Sequence, residues 1–211
     1  MLVLIADQAL KIWIKTHLTY GEEFSILGLS WARIHFVENE GMAFGLSFGG
    51  PAGKLALSIF RIFAAIFLIY ILRSLVRAKE SYGLLLCFAL ITAGAIGNIL
   101  DSAFYGLLFS DSSYHGGVAE FLPADGGYAS MFYGRVVDML YFPVIDTILP
   151  QWIPLWGGER FQFFKPVFNL ADAAISTGVI SLLVFYTRFL RTGTSSKPQP
   201  VADATQAGTY E

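Results

Sequence analysis

Long apolar runs separated by polar segments dominate the pattern of this chain. Three runs, at residues 55–75, 82–105 and 167–190, reach the length of roughly 20 residues that a helix needs to cross a bilayer. Residues 1–18 form a shorter apolar run that carries Asp7, Lys11 and Lys15. This run has neither the basic start nor the small-residue cleavage site of a signal peptide, so we expect a retained helix. The pattern predicts an all-α integral membrane protein with four transmembrane helices.

Basic residues predict how these helices are oriented. They lie in the short link at residues 73–81 and at the end of the last helix, and they are Arg73, Arg77, Lys79, Arg188, Arg191 and Lys197. Short connections rich in Lys and Arg stay in the cytoplasm, so both termini are predicted to be cytoplasmic and residues 19–54 and 106–166 to lie outside. Residues 1–190 then form a single membrane-embedded domain. Residues 191–211 are polar and predicted to be a disordered cytoplasmic tail.

The outer segments are expected to form a small subdomain of strands and loops. Residues 31–37 alternate between apolar and polar, which predicts a short strand. The glycines of the following segment, residues 39–45, suit either a hairpin loop or a functional turn, and the pattern leaves both open. Residues 144–166 are rich in Trp and Phe, which is typical of a membrane–water interface.

Composition supports the membrane assignment and restricts the partners. The chain has 211 residues, of which 55% are hydrophobic and 14% charged, with a mean hydropathy of +0.58. Soluble domains carry about 25% charged residues. The net charge of −2 argues against a nucleic-acid partner. Membrane lipids are the expected surroundings.

Two aspartates are the candidate reactive groups. Asp172 is predicted to lie about one and a half turns into the last helix, where a charge is costly, and it shares a helix face with Asn169 and Ser176. Asp138 lies in an outer segment. If the two carboxylates are close, one can act as a general base on water while the other, protonated, polarises a carbonyl. The spacing alone leaves open a structural acid and an unrelated surface acid.

Other reaction chemistries lack their motifs. The chain has no His-Glu-x-x-His metal motif, no Gly-x-Ser-x-Gly elbow and no glycine-rich phosphate loop. A serine protease or a metalloprotease is therefore not expected. In the third helix, Asn98 and Asp101 are expected to join helices and position other groups rather than to react.

Five motifs occur in chain order at matching predicted membrane depth. They are Asp7-Gln8-x-x-Lys11, Asn39-x-Gly41-x-Ala43-Phe44-Gly45, Gly94-Ala95-Ile96-Gly97-Asn98-x-x-Asp101, Val136-Val137-Asp138 and Phe168-Asn169-x-Ala171-Asp172. In these motifs, which span about residues 4–190, the chain resembles the lipoprotein signal peptidase (signal peptidase II) family. The long outer segments resemble the versions found in Bacteroidetes-like bacteria.

The resemblance implies a four-helix aspartyl protease of the bacterial inner membrane, with its active site near the periplasmic face. It implies that Asp138 and Asp172 are the catalytic dyad, and that the substrate is a lipid-modified prolipoprotein cleaved before its lipidated cysteine. It implies no metal and no cofactor, and the antibiotic globomycin would compete for the site. A monomer is expected. The residues implied to bind substrate or orient the dyad are Asn39, Gly41, Asn98, Asp101 and Asn169, while Asp7 and Lys11 would be structural.

The chain departs from the family pattern at one charged position. The family usually has Arg after the aspartate of the third helix, whereas this chain has Ser102. We expect Arg61, in the second predicted helix, to supply the missing positive charge. The outer segments 106–133 and 144–166 also look longer than usual, and the amino terminus looks short.

Two other kinds of membrane protein would also carry buried acids. An ion-coupled transporter would show internal repeats and broken helices in corresponding halves, and the sequence has neither. An assembly factor would use its acids only to pair helices, so their amidation would change stability and no chemistry.

Overall fold

The computed structural model describes residues 1–40, 50–113, 117–143, 145–163 and 166–192. Its helices are α1 (Leu2–His17), α2 (Gly50–Arg77), α3 (Tyr82–Leu100), α4 (Gly106–Leu108), α5 (Leu170–Phe185) and α6 (Thr187–Thr192). A π-helical turn, Asp101–Tyr105, joins α3 to α4. Turns of this kind are rare and occur frequently at functional sites.

Two helical segments of the described chain are long and apolar enough to cross a membrane, Gly50–Arg77 and Tyr82–Leu108. Large apolar side chains along α2 point away from the protein, including Phe60, Phe63 and Phe67, which are 68%, 68% and 62% exposed. Rings exposed along one helix fit a surface that contacts lipid rather than water. These features fit an integral membrane protein.

The strands form a small sheet and a separate hairpin. They are β1 (Glu23–Ser25), β2 (Arg33–Asn39), β3 (Val136–Tyr141), β4 (Ile145–Ile148), β5 (Arg160–Phe163) and β6 (Val167–Phe168). The sheet has the order β1-β2-β3-β6 with antiparallel pairs, and β4 pairs with β5. The strand predicted at residues 31–37 is thus found two residues later, and Asn39 is its last residue.

The start of the last helix differs from the prediction. A helix was expected over residues 167–190, but Val167–Phe168 is strand β6, paired with β3, and α5 begins at Leu170. Asp172 therefore lies in the first turn of α5 and not one and a half turns into it. Pairing with β3 keeps residues 167–168 extended, and Asn169, which also has extended backbone, caps the helix that begins after it. The helix ends at Phe185, and α6 is a separate short helix.

Helices α3 and α5 make the most extensive helix contact, and small residues permit it. A Cβ atom added to Gly94 would lie 2.3 Å from the carbonyl oxygen of Ala171. One added to Gly178 would lie 2.7 Å from the carbonyl oxygen of Cys87. The two backbones touch at both levels. This contact fixes the start of α5, and with it Asp172, against α3.

An apolar cluster holds the sheet against α1 and the end of α3. Phe36 of β2 and Val137 and Met139 of β3 are fully buried, and they pack with Ile14 of α1 and Phe109. Full burial of such side chains contributes about 1.5–3 kcal/mol each. The cluster therefore presses β2 and β3 onto the helices, with the opposite face of this strand pair left for polar groups.

The β4–β5 hairpin is the main feature of the long segment after β3. Around its turn, Trp152, Leu155 and Trp156 are 80%, 91% and 60% exposed. Exposed tryptophans suit a membrane–water interface, so the interfacial role expected from the aromatic composition stays a prediction.

We predict that Gly94→Ala destabilises the protein, because the new methyl group meets the backbone of α5 at 2.3 Å and the helices must separate. Overpacking of this kind typically costs about 1–3 kcal/mol. Thermal melting in detergent measures it. Gly117→Ala is the matched control, since nothing lies within 4 Å of its added Cβ. Equal melting temperatures for the two variants would contradict the close contact.

Candidate active site

The amino end of α5 places Asp172. Asn169 precedes the helix, is fully buried, and accepts a hydrogen bond from the backbone N–H of Asp172 through its Oδ1 at 2.9 Å. A side-chain oxygen at this position satisfies one of the free N–H groups of the first turn. Asp172 itself is half-buried. Its carboxylate is therefore held at a helix start and remains partly accessible.

Strand β3 places Asp138, whose residue is only 3% exposed. Amide groups donate to both of its carboxylate oxygens, Asn169 Nδ2 to Oδ1 at 2.7 Å and Asn39 Nδ2 to Oδ2 at 3.3 Å. Asn39 comes from the neighbouring strand β2, where Val37 pairs with Asp138. Asn39 and Asp138 thus lie on the same face of the sheet, and β2 and α5 both orient this carboxylate.

Asn98 of α3 connects the second aspartate to the same system. Its Nδ2 donates to Asp172 Oδ1 at 2.7 Å, and its Oδ1 accepts from Asn169 Nδ2 at 3.2 Å. Asn169 therefore contacts the Asp138 carboxylate, the Asp172 backbone and the Asn98 amide. Residues far apart in sequence, on β3 and α5, are brought together by two asparagine side chains.

A buried charge network contacts one of these asparagines, Asn98. Lys11 Nζ lies 2.9 Å from Asp7 Oδ2 and 2.8 Å from Asp101 Oδ2, and it donates to Asn98 Oδ1 at 3.0 Å. The side chains of all three charged residues are at most 1% exposed. Gln8 Nε2 also donates to Asp101 Oδ1 at 2.9 Å. Every charge in the network has an opposite charge or a hydrogen-bond donor, which burial requires.

The two carboxylates of this network also hold the backbones that carry the aspartates. Asp7 Oδ1 accepts from the backbone N–H of Ala171 at 2.8 Å, and Asp101 Oδ2 accepts from that of Val137 at 3.3 Å. Ala171 directly precedes Asp172, and Val137 directly precedes Asp138. The network thus fixes both backbone segments within one residue of the candidate reactive groups.

The environment of Asp138 favours its protonated form. Burial, and after it the negative charge of nearby Asp172, raises the pKa of Asp138 to about 7, although the amides of Asn39 and Asn169 oppose the shift. Neighbouring carboxylates resist double ionisation, so the pair retains a proton near neutral pH. Such a pair can remove a proton from water and polarise a carbonyl at the same time.

Comparison with known proteins gives the family. A sequence model described as Signal peptidase (SPase) II matches residues 1–188. The chain belongs to the signal peptidase II family. It is a peptidase of this family, and a hydrolase that functions in lipoprotein processing.

Individual relatives agree with this assignment. A lipoprotein signal peptidase from Porphyromonas gingivalis is 53% identical over 89% of this chain and 80% of its own length. Proteins of the same name from Amoebophilus asiaticus and Chlorobium phaeobacteroides are 36% and 34% identical over 87% and 89% of the chain, and over 74% and 92% of their own lengths.

Two solved structures share the fold. A bacterial membrane enzyme determined by the in meso method at 2.3 Å has a TM-score of 0.57 at 20% identity, with 94% of this chain and 90% of that chain covered. A second, at 1.9 Å, has a TM-score of 0.55 at 22% identity, with 87% and 86% covered. The membrane-enzyme fold is thus shared well beyond clear sequence similarity.

Within this signal peptidase II, most of the residues singled out from the sequence lie together. Asn39, Asn98, Asp101, Asn169, Asp138 and Asp172 belong to the connected system described above, together with Asp7 and Lys11. Arg61 of α2 approaches it too, with Nη1 3.4 Å from Ser102 Oγ. Gly41 lies outside the described residues.

Sequence reasoning missed a second buried cluster, formed by Lys15, Glu38 and Arg135. The side chains of Lys15 and Glu38 are 0% and 1% exposed and form an ion pair, and Arg135 Nη1 donates to Glu38 Oε2 at 3.0 Å. A signal existed, since Lys15 follows Lys11 by four residues and so shares its helix face. Nothing local indicated which acid it would meet.

We predict that the folded protein loses stability as pH rises from about 4 to about 7. In this range an unfolded chain has already released the Asp138 proton at a pKa near 3.8, while the folded chain, with a pKa of about 7, retains it. The unfolded state therefore binds fewer protons, and stability falls as pH rises. Melting temperatures of wild type and Asp138→Asn across this range measure the effect. An equally steep decline in Asp138→Asn would contradict the assignment.

Proposed function

We propose that this protein is a lipoprotein signal peptidase that acts as a membrane aspartyl endopeptidase. It removes the signal peptide from diacylglyceryl-modified prolipoproteins by cleaving before the lipidated cysteine, with Asp138 and Asp172 as the catalytic dyad. The observation that carries the proposal is the bridging position of Asn169, which donates to the Asp138 carboxylate at 2.7 Å and caps α5 at Asp172 at 2.9 Å. In a signal peptidase II, a pair of carboxylates fixed in this way suits peptide hydrolysis.

The proposed reaction uses one proton shared by the dyad. The ionised carboxylate removes a proton from water, whose oxygen adds to the scissile carbonyl carbon while the protonated carboxyl donates to the carbonyl oxygen. The carbon–nitrogen bond of the tetrahedral intermediate then breaks. The carboxyl that took the water proton gives it to the departing nitrogen, and the other carboxylate takes a proton from a hydroxyl of the intermediate, which restores the singly protonated dyad. No covalent intermediate and no metal are required. Because the pair must hold one proton, cleavage falls as pH rises above the pKa of about 7 given for Asp138.

The proposed topology has four transmembrane spans, α1, α2, α3 and α5, in the bacterial inner membrane. Arg77 ends α2 and Lys79 lies in the link to α3, which favours the cytoplasm for this end. From Tyr82 to Asn98 an α-helix rises about 24 Å, so the dyad lies near the opposite, periplasmic face. At that depth the lipid chains of a substrate would hold its modified cysteine in the outer leaflet. Both termini are cytoplasmic.

The asparagines are proposed to bind the substrate or to orient the dyad. Asn39, Asn98 and Asn169 each donate an amide N–H to one of the two carboxylates. Gly41 is assigned to substrate binding by family resemblance. Globomycin is proposed to compete for the same site, and the enzyme is proposed to act as a monomer. Asp7 and Lys11 serve a structural role in the buried charge network.

We predict that Asp138→Asn and Asp172→Asn each abolish cleavage of a purified lipid-modified prolipoprotein while the protein stays folded. Either amide removes a proton carrier that the reaction requires, and loss of a dyad member should cost at least about 100-fold. Cleavage in detergent or lipid and melting temperature are measured together. Asp125→Asn, at an exposed outer acid, is the matched control and should cleave normally.

Normal cleavage by either dyad variant would overturn the dyad assignment. A wild type that does not cleave, or whose cleavage globomycin leaves unchanged, would overturn the proposed function. Asn variants that change only stability would favour an assembly factor.

Arg61 is proposed to supply the positive charge that the family places after the aspartate of the third helix. Its guanidinium donates to the hydroxyl of Ser102, which occupies that family position, at 3.4 Å. It also faces the negative charges of Asp172, Asp101 and Asp138. In this proposal the guanidinium comes from α2, whereas the family arginine comes from α3. The two arginines would occupy the same place in the site although they lie at unrelated positions in the sequence.

We predict that Arg61→Leu lowers cleavage at least about 10-fold, in line with the loss of one preorganised charge at a reaction centre. Arg61→Lys should retain part of the activity, and adding Ser102→Arg to Arg61→Leu should restore it. Arg73→Leu, an exposed arginine at the far end of α2, is the control. If Arg61→Leu left both activity and folding untouched, the replacement would be wrong.

A further inference from the structure

A second set of charged and polar side chains, with a fully buried ion pair at its centre, lies behind the strands that carry Asn39 and Asp138. We name it the Glu38 cluster, made of Lys15, Glu38, Ser112 and Arg135. Lys15 from α1 forms an ion pair with Glu38 Oε1, and Arg135 Nη1 donates to Glu38 Oε2 at 3.0 Å. Lys15 Nζ also donates to Ser112 Oγ at 2.7 Å. One carboxylate on β2 is therefore held by a cation from α1 and by another just before β3.

The Glu38 cluster lies on the opposite face of the strand pair from the dyad. Glu38 pairs with Val137, and Val37 pairs with Asp138. Since side chains alternate along a strand, Glu38 points away from the face shared by Asn39 and Asp138. The cluster does not touch Asp138. Its effect on the reaction must pass through the backbone of β2 and β3.

The register of β2 against β3 is interrupted just before the site. A shift between Ile34 and Val37 separates the pairs at the far end of the strand from the last three pairs, which include Asn39 opposite Val136. A bulge adds one residue to a strand and disrupts the ladder locally, so the pairs before it do not by themselves fix the register of the pairs after it. A slip by one residue would turn Asn39 to the rear face and bring Glu38 toward the dyad. Something must fix the register after the bulge.

We propose that Glu38 is a positioning residue, whose ion pairs with Lys15 and Arg135 fix the register of β2 on β3 and hold Asn39 against Asp138. The inference rests on the proposed function, in which Asp138 is a member of the dyad. It extends that function to residues remote from the reacting atoms.

The kind of interaction used supports a role in geometry. A buried ion pair is often no more stabilising than well-packed apolar residues of similar size, so its presence is weak support for a role in stability alone. The two cations of the cluster also make contacts of defined geometry with an aromatic ring. Lys15 Nζ lies 5.1 Å from the ring centre of Tyr128, and the Arg135 guanidinium carbon 4.9 Å from it. Tyr128 in turn accepts the backbone N–H of Arg135 at 2.6 Å through its hydroxyl.

The test removes the two fully buried charges, Lys15 and Glu38, together, and Arg135 keeps its ion pair with Asp111 at 2.8 Å. In Lys15→Met/Glu38→Leu, apolar side chains of similar size replace the pair. Glu38→Gln is the single variant that keeps the shape of the side chain. Glu23→Gln is the matched control, since Glu23 pairs with Arg33 at 2.6 Å in the same sheet but on the other side of the bulge.

The enzyme is assayed in lipid with the lipid-modified prolipoprotein, and kcat and KM are measured separately. We expect Lys15→Met/Glu38→Leu to melt close to wild type but to lose about 10- to 100-fold in kcat with little change in KM, because misplacement by about 1 Å can cost about 100-fold. Glu38→Gln should lose kcat similarly, and Glu23→Gln should retain it. A double variant that melts like wild type and retains its kcat would overturn the proposal.

A second readout does not depend on cleavage. The amide of Asn39 opposes the rise in the pKa of Asp138, so its displacement should extend the pH-dependent fall in melting temperature to higher pH. The other groups facing Asp138 are unchanged in these variants, namely Asp172, Asn169, Lys11 and Arg61. If the pH range stays that of wild type, Asn39 has not moved, and the proposal is wrong whether or not the wild type cleaves.

Together, the cleavage assay and the melting experiment distinguish failure of the proposed function from failure of the proposed role of Glu38. Loss of the proposed function would show as a wild type that does not cleave, with the melting readout still reporting on Asn39. Loss of the inference alone would show as an active wild type, inactive dyad variants and a fully active double variant. A parallel drop in melting temperature and activity, with an unchanged pH range, would reduce Glu38 to a structural role.

Discussion

The position of one lysine decides how the rest of this molecule is assembled. Lys11 lies within 2.9 Å of Asp7 and 2.8 Å of Asp101, and all three side chains are buried. Isolated charges in this environment would be costly, and they are tolerated because each lies against an opposite charge. Asp7 Oδ1 and Asp101 Oδ2 also accept hydrogen bonds from the backbone N–H groups of Ala171 and Val137. Helices α1, α3 and α5 and strand β3 therefore meet at a single point.

The amide groups of Asn98 and Asn169 connect this charged network to the candidate dyad. Lys11 donates to Asn98, which donates to Asp172, and Asn169 donates to Asp138. Amides suit this role because each offers both a donor and an acceptor and carries no net charge. They can connect the charged network to a pair of acids without neutralising either acid. The pair can then share a proton, as its proposed chemistry requires.

The protein holds the two sides of its small sheet by different means. On one face the strands carry Asn39 and Asp138, and on the other they carry apolar side chains and the Glu38 cluster. Burial alone would secure the sheet to the helices, yet it is poorly directional. Hydrogen-bonded charges at defined positions add direction, which matters next to a bulge. The sheet is small, so each such contact fixes a large part of it.

The apolar runs alone predicted a helical membrane protein, because the length and hydropathy of a run depend only on local composition. The motifs around Asn39, Asn98, Asp138 and Asn169 indicated a signal peptidase II, and the family comparison confirmed this. The alternating residues after Trp31 likewise predicted a strand, found at Arg33–Asn39.

Only the tertiary structure decided where α5 begins, since residues 167–168 pair with β3, a partner about 27 residues away that no local pattern reveals. It also decided that Lys15 meets Glu38 and that Arg61 reaches Ser102. Charge and apolar character are properties of single residues and can be read in order along the chain. Which opposite charge a buried cation meets depends on how distant segments pack, and that information exists only in the folded molecule.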